Sequence, residues 1–255
     1  MFRLERPAPE HLEQFHEHGF VSFPGVLTDA GRLGLTGEIF ATPAVQEFLR
    51  APAAARAGGP RPHRLSLVPW LDLGVWGERL FDAPFVSALL GAVIGARWHF
   101  CHAQLRVSLR GARGLGYHHD NLPVVLAERD RWYVQMLYYP EGFTRGDASL
   151  RVVPGSHKIR EWREEHQPYG PTLREGSLPL LDELYAGQVG RPLRAQELEL
   201  PPGSLVVLDG RTLHAVSPKP SHSPQAMRTV VISCSRNRGA SPQYTGDPRG
   251  VARAG

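Results

Sequence analysis

The run WHFCHAQLRVSL, residues 98–109, decides the fold class. Polar and apolar residues alternate along it, and its β-branched and aromatic side chains suit a half-buried strand. The same texture returns in DRWYVQMLYY (130–139), ASLRVVPG (148–155), LRAQELEL (193–200), GSLVVLDG (203–210) and RTVVISCS (228–235). Each is short and bounded by Gly, Pro or polar residues. Many short strands of this kind predict a sandwich or a barrel.

The sequence before residue 97 reads differently. Residues 8–20 put Leu12, Phe15 and Phe20 near helical spacing, with Gly19 as a C-terminal stop. VSFPGVL then predicts a short strand and a turn. Thr28 or Asp29 can cap a second helix through about residue 40. Residues 83–96 predict a buried helix. The segment 51–66 is rich in Ala, Gly, Pro and Arg, as in an active-site lid or a disordered loop. The segment 158–189 is too long for a hairpin connection and predicts a partly helical insertion over one mouth of the barrel. Trp70, Trp76, Trp162 and Tyr169 lie in or near these two segments, where they could line a pocket or simply fill core. One domain is expected over residues 1–240, with a flexible tail at 241–255.

Bulk properties narrow the function. The 255 residues are 42% hydrophobic and 21% charged, an ordinary globular balance. No run approaches the roughly 18 apolar residues of a membrane helix. The opening MFRLERPAPEHLEQF lacks the apolar core of a secretory signal, so a cytoplasmic location is expected. The net charge is +4, with 27 arginines and only two lysines, Lys158 and Lys219. The arginines are scattered, which argues against nucleic acid as a partner. Cys101 and Cys234 form no spaced ligand pair and read as small buried residues or incidental thiols.

The chemistry lies in two segments. In GLGYHHDNLP (114–123), His118 and Asp120 are two residues apart, so on a strand they share a face. In PPGSLVVLDGRTLHAVSPKP (201–220), a buried strand ends at Asp209-Gly210 and His214 follows. Arg228 then heads the last apolar run, where a buried guanidinium needs an anionic partner. Two histidines and one carboxylate on one face leave three coordination positions open, the facial triad of non-haem iron oxygenases. Arg228 could pair in a two-pronged fashion with the distal carboxylate of 2-oxoglutarate.

With these segments in place, the sequence resembles the phytanoyl-CoA dioxygenase family, which includes ectoine hydroxylase and bacterial tailoring oxygenases. The resemblance spans roughly residues 8–238. It rests on FHEHGFVSFPGVLTDA, YHHD, LRVVPGSHK (150–158), PPGSLVVLDGRTLH and MRTVVIS, in that order. It implies a mainly β (α+β) fold, a double-stranded β-helix or jelly roll, with flanking N-terminal helices and a helical insertion. It implies His118, Asp120 and His214 as iron ligands and Arg228 as the 2-oxoglutarate anchor. Gln104, Arg106 and Ser108 alternate on one strand and should face inward. In relatives this face touches co-substrate and substrate, so Gln104 and Ser108 are assigned to 2-oxoglutarate and Arg106 to a substrate carboxylate. Ser108 stands where ectoine hydroxylase has asparagine. His157 is expected to fix the PGSH turn, with Ser156 capping the segment after it. His119 points the other way on an ideal strand, or reaches the co-substrate because this segment is a loop edge in relatives; His99 and His102 should be structural. Gly146-Asp147-Ala148 replaces the Asn-Gly of many relatives.

The resemblance further implies an Fe(II)-, 2-oxoglutarate- and O2-dependent hydroxylase of a small molecule, an amino-acid derivative or natural-product intermediate, releasing succinate and CO2. The ligand histidines must be neutral to bind metal, so activity should fall below their metal-free pKa. Desaturation, epoxidation or ring formation would use the same oxidant. Asp120 argues against halogenation, which replaces this carboxylate with Ala or Gly. From other classes, a jelly-roll binding protein without chemistry or a zinc hydrolase would use similar residues.

Overall fold

The computed structural model describes residues 1–50, 66–68, 73–120, 133–160, 162, 175–223 and 227–235. Its N-terminal part carries α1 (Pro9–His18), β1 (Phe20–Phe23), α2 (Asp29–Gly34), α3 (Pro43–Arg50), β2 (Ser66–Val68), α4 (Gly74–Asp82) and α5 (Pro84–Ile94). Then come β3 (His99–Ser108), β4 (Leu115–His118), β5 (Tyr133–Tyr139), β6 (Leu150–Val152), α6 (Leu178–Val189), β7 (Gln196–Glu197), β8 (Ser204–Asp209), β9 (His214–Val216) and β10 (Met227–Ser235). Thr28 caps α2 by accepting from the Gly31 amide, and a single π-helical stretch, Leu35–Ile39, prolongs it. Gly19 ends α1 with φ 80°, a left-handed conformation open to glycine at little cost.

The strands form two antiparallel sheets. The larger has the order β1-β8-β5-β10-β3-β2 and the smaller β4-β9-β6-β7. Side-chain alternation sorts them into layers. Leu137, Tyr139, Val206, Leu208, Met227 and Val231 of the larger sheet meet Leu150 and Val152 of the smaller one, which makes the barrel interior. The neighbouring residues in sequence, including Leu105, Val107, Met136, Val207, Val230 and Ile232, face the other way and pack against the N-terminal helices. This is why β8 and β10 read as continuous apolar runs: both of their faces are buried. On the outer face of the smaller sheet, Tyr117, Leu213 and Ala215 pack against Leu181, Tyr185 and Val189 of α6.

Trp76 is no pocket residue; it is 1% exposed in the helix-side core, edge-on to Tyr138. The described part of the 158–189 insertion, α6, covers the outer face of the small sheet. Residues 51–65, Trp70, Tyr169 and the 236–255 tail lie outside the described residues. Cys101 and Cys234 are buried and in no disulfide. In the Gly146-Asp147-Ala148 turn, Ala148 adopts φ 55° while 1% exposed. No helix among the described residues is long and apolar enough to cross a membrane.

Candidate metal centre

His118 ends β4 and His214 begins β9, and the two are register partners across the small sheet. Their neighbours Tyr117 and Ala215 belong to the outer core, so both imidazoles turn inward. Asp120 comes two residues after His118, and its amide donates to the Gly210 carbonyl at 2.9 Å. That bond ties the end of the H-x-D segment to the Asp209–Thr212 turn. One ligand atom from each of His118, Asp120 and His214 lies within 4.8 Å of the others. His118 Nε2 is 3.8 Å from Asp120 Oδ1, and His214 Nε2 is 3.3 Å from Asp120 Oδ2.

The histidines are oriented by the backbone. His118 Nδ1 lies 2.9 Å from the Gly116 carbonyl and His214 Nδ1 lies 3.0 Å from that of Thr212. A carbonyl can only accept, so each Nδ1 carries the proton and each Nε2 presents a lone pair to the centre. His214 Nε2 is buried without a hydrogen bond. Burial, aided by the His118 charge, lowers His214 to about 4. Burial pushes Asp120 upward, but His214, His118 and Arg106 together hold it below the ordinary carboxylate range. Two imidazole nitrogens, His214's held neutral by burial, and an ionised carboxylate result, the donor set that a divalent iron accepts.

Behind His214, segments distant in sequence meet. The Thr212 hydroxyl donates to the Gly19 carbonyl at 2.9 Å, and the Asp209 amide donates to the same oxygen at 2.8 Å. Ser156 of the PGSH turn donates to the Val153 carbonyl at 2.7 Å and accepts from the Leu213 amide at 2.8 Å. His157 Nε2 lies 3.1 Å from the His16 carbonyl. Thus the PGSH turn braces the end of α1 and the strand carrying the distal histidine. Arg211 forms a two-pronged pair with Asp209, at 2.9 and 2.7 Å. Neither the Thr212 brace nor the Arg211 pair was apparent in the sequence; the Asp-Gly-Arg-Thr turn was their one visible sign.

The remaining sequence candidates divide. Ala103, Leu105 and Val107 face the helices, so Gln104, Arg106 and Ser108 face the barrel interior. Gln104 and Ser108 are buried. The Arg106 charge acts on Asp120, His214 and Tyr139. Arg228 is not brought to the triad. Val230, Ile232 and Cys234 of the same strand face the helices, and Arg228 shares their parity. Its guanidinium lies over the Phe40 ring, 4.0 Å from the centroid. Its Nε donates to Glu141 Oε1 at 2.8 Å, and its terminal nitrogen binds the same oxygen. The anionic partner that this arginine demands is therefore part of the chain. His119 turns away from the ligands toward Trp162, with ring centroids 6.0 Å apart. A cleft of about 570 Å³ opens beside the start of β10, lined by Glu141, Phe143, Asp147, Lys219 and Met227 among others; no triad residue lines it.

Comparison with known proteins adds the lineage. The sequence profile described as Phytanoyl-CoA dioxygenase (PhyH) matches residues 15–228. No curated protein sequence matches the chain. Among solved structures, EctD from S. alaskensis in its apoform superposes with a TM-score of 0.64 at 15% identity, over 97% of this chain and 82% of that one. SnoN, a non-heme alpha ketoglutarate dependent epimerase from nogalamycin biosynthesis, gives 0.64 at 16% identity, over 89% and 82%. HygX from Streptomyces hygroscopicus, solved with nickel, 2-oxoglutarate and hygromycin B bound, gives 0.61 at 17% identity, over 92% and 90%. At such identities the likeness is one of fold.

Proposed function

Because this chain belongs to the phytanoyl-CoA dioxygenase family of iron- and 2-oxoglutarate-dependent oxygenases, we propose that it hydroxylates an unactivated C–H bond of a small molecule, with His118, Asp120 and His214 holding Fe(II). The observation that carries this reading is the inward triad, whose donors lie within 4.8 Å of one another. When bound, Fe(II) with 2-oxoglutarate and O2 supplies the oxidant, and succinate and CO2 are the co-products.

The chain's own residues do the rest. The Gly116 and Thr212 carbonyls fix the imidazole tautomers. Asp120 stays ionised at neutral pH and contributes the negative charge that favours a dication. Gln104 and Ser108, on the inner face of β3, are suited to hydrogen-bond the co-substrate. Leu137, Val152, Val206, Leu208 and Val231 keep the interior apolar, which excludes water from the reacting centre. Amino-acid derivatives and natural-product intermediates are the substrate class in view, since HygX was solved with hygromycin B. Ring formation is the second reading, because SnoK, a carbocyclase from nogalamycin biosynthesis, has the same fold at a TM-score of 0.62.

Anaerobic Fe(II) binding, and then succinate release across a panel of small molecules in air, tests the proposal. Iron-dependent succinate release that one substrate class stimulates is expected. Turnover that persists without 2-oxoglutarate would refute it.

A further inference from the structure

The larger sheet carries a polar row on its inner face. β5, β10 and β3 are neighbours, and Gln135, Ser233 and His102 are register partners across them. Gln135 has the parity of Leu137 and Tyr139, and Ser233 that of Val231, all in the barrel interior. His102 has the parity of Gln104. The row therefore faces inward, and Leu208 on β8, the other partner of Gln135, completes it. Two residues beyond Leu208, the Gly210 carbonyl accepts from the Asp120 amide. The row thus lies at the triad's end of the barrel, on the sheet opposite the one that carries His118 and His214. Its polar members are buried: Gln135 and His102 are each 1% exposed and Ser233 is 0%. Ser233 Oγ lies 3.3 Å from His102 Nε2. Gln135 differs. Among the described residues its Oε1 accepts no hydrogen bond.

We propose that Gln135 is a specificity-determining residue that accepts a hydrogen bond from a hydroxyl group of the prime substrate, so that the substrate is an uncharged, hydroxyl-bearing molecule. The proposal rests on the oxygenase reading above and narrows its substrate class. A buried amide oxygen without a donor costs free energy, and native proteins leave few of them. The interior around it, with Leu137, Val206 and Leu208, would accept an apolar side chain at this position more readily. A carboxamide here destabilises the empty barrel and is explained by a donor that arrives with the substrate. The row contains no carboxylate, guanidinium or ammonium, so it does not suit an ionic group. A carboxamide has an acceptor edge and a donor edge, which match a hydroxyl that both donates and accepts. A hydroxylated substrate satisfies Oε1. A deoxy analogue leaves it buried and unpaired, and that penalty is the means of discrimination.

The test uses three ring-matched probes: cyclohexane-1,2-diol, cyclohexanecarboxylate and cyclohexylammonium. Protein loaded with Fe(II) and 2-oxoglutarate is titrated with each under nitrogen, and binding is read from the change in the visible absorbance of the chelate. Wild type should bind the diol at least about tenfold more tightly than either ion. Gln135→Leu should weaken the diol by about tenfold or more and leave 2-oxoglutarate binding unchanged. Without ligand, the same variant should melt at the wild-type temperature or above it, because an unsatisfied amide gives way to a side chain that its surroundings accept. A clear fall in Tm would mean that Gln135 holds the fold, and the proposal fails. Unchanged diol affinity in the variant would mean that water serves Oε1, and the proposal fails. It fails too if wild type prefers an ion or binds none of the three rings. A wild type that forms no chelate with 2-oxoglutarate overturns the oxygenase reading itself.

Discussion

His118 and His214 are register partners on adjacent antiparallel strands, with ring centroids 4.3 Å apart. The pairing sets the spacing of two donors through backbone hydrogen bonds, so the third donor, Asp120, decides whether a metal is held. Asp120→Asn should keep the fold and weaken Fe(II) binding by more than about 100-fold, since even partners of the ligands are worth 10- to 100-fold. Competition with a chromogenic chelator measures it; near-wild-type affinity would sink the ligand assignment.

Ser156 is the joint between the PGSH turn and the strand bearing His214. In Ser156→Ala the buried Leu213 amide loses its acceptor. The expected cost is about 1–3 kcal/mol. Iron affinity should fall roughly tenfold as His214 loosens. Urea unfolding and metal titration read the two effects separately. A stability loss with unchanged metal affinity would show that the joint does not position the histidine.

Gly19→Ala should be far more damaging than its size suggests. The position has φ 80°, and an added Cβ would meet the Thr212 hydroxyl and His157 Nδ1, the latter at 2.5 Å. Strain of about 1–3 kcal/mol in the backbone adds to the clash. A substantial drop in Tm is expected, and a variant as stable as wild type would contradict this packing.

Ala148 offers the opposite case. It is an L-residue at φ 55° in the turn before β6. Ala148→Gly should relieve roughly 1 kcal/mol of strain. Part of that gain is offset by the greater freedom of the unfolded chain. Denaturant midpoints should rise slightly or hold, and a clear loss would speak against the strain.

Stability without metal should depend on pH in a defined window. Burial lowers His214 to about 4 and His119 to about 3, from an ordinary 6.5. As pH falls through 6.5 the unfolded chain takes up these protons and the folded one does not. The unfolded state then binds more protons, so stability declines from about pH 6.5 toward 3. Urea midpoints of metal-free protein should fall across that range. A flat profile would mean that these rings are solvated in the native state.

Much of the fold and the site was legible in the sequence, for physical reasons. The strands announce themselves by composition. His118 and Asp120 announce themselves by i, i+2 spacing, and the inward face of Gln104, Arg106 and Ser108 can be read from alternation with Ala103, Leu105 and Val107. The direction of Arg228 could not. Residues Thr229–Ser233 are buried on both faces, so the run carries no alternation from which to read parity. Glu141, its partner, is 87 residues away and carries no signal of its own. Trp76 illustrates the same limit: an aromatic near a loop reads alike whether it lines a pocket or fills core.

The brace behind His214 has a consequence for how the protein matures. Its bonds join residues separated by 193 positions at Thr212–Gly19 and by 57 at Ser156–Leu213. The two imidazoles come from strands at opposite ends of a long connection, so no early fragment of the chain contains a metal site. Such non-local closure is slow. If the triad holds iron, loading should therefore come late in biogenesis: a nascent chain emerging from the ribosome would stay blind to iron until β9 has paired with β4.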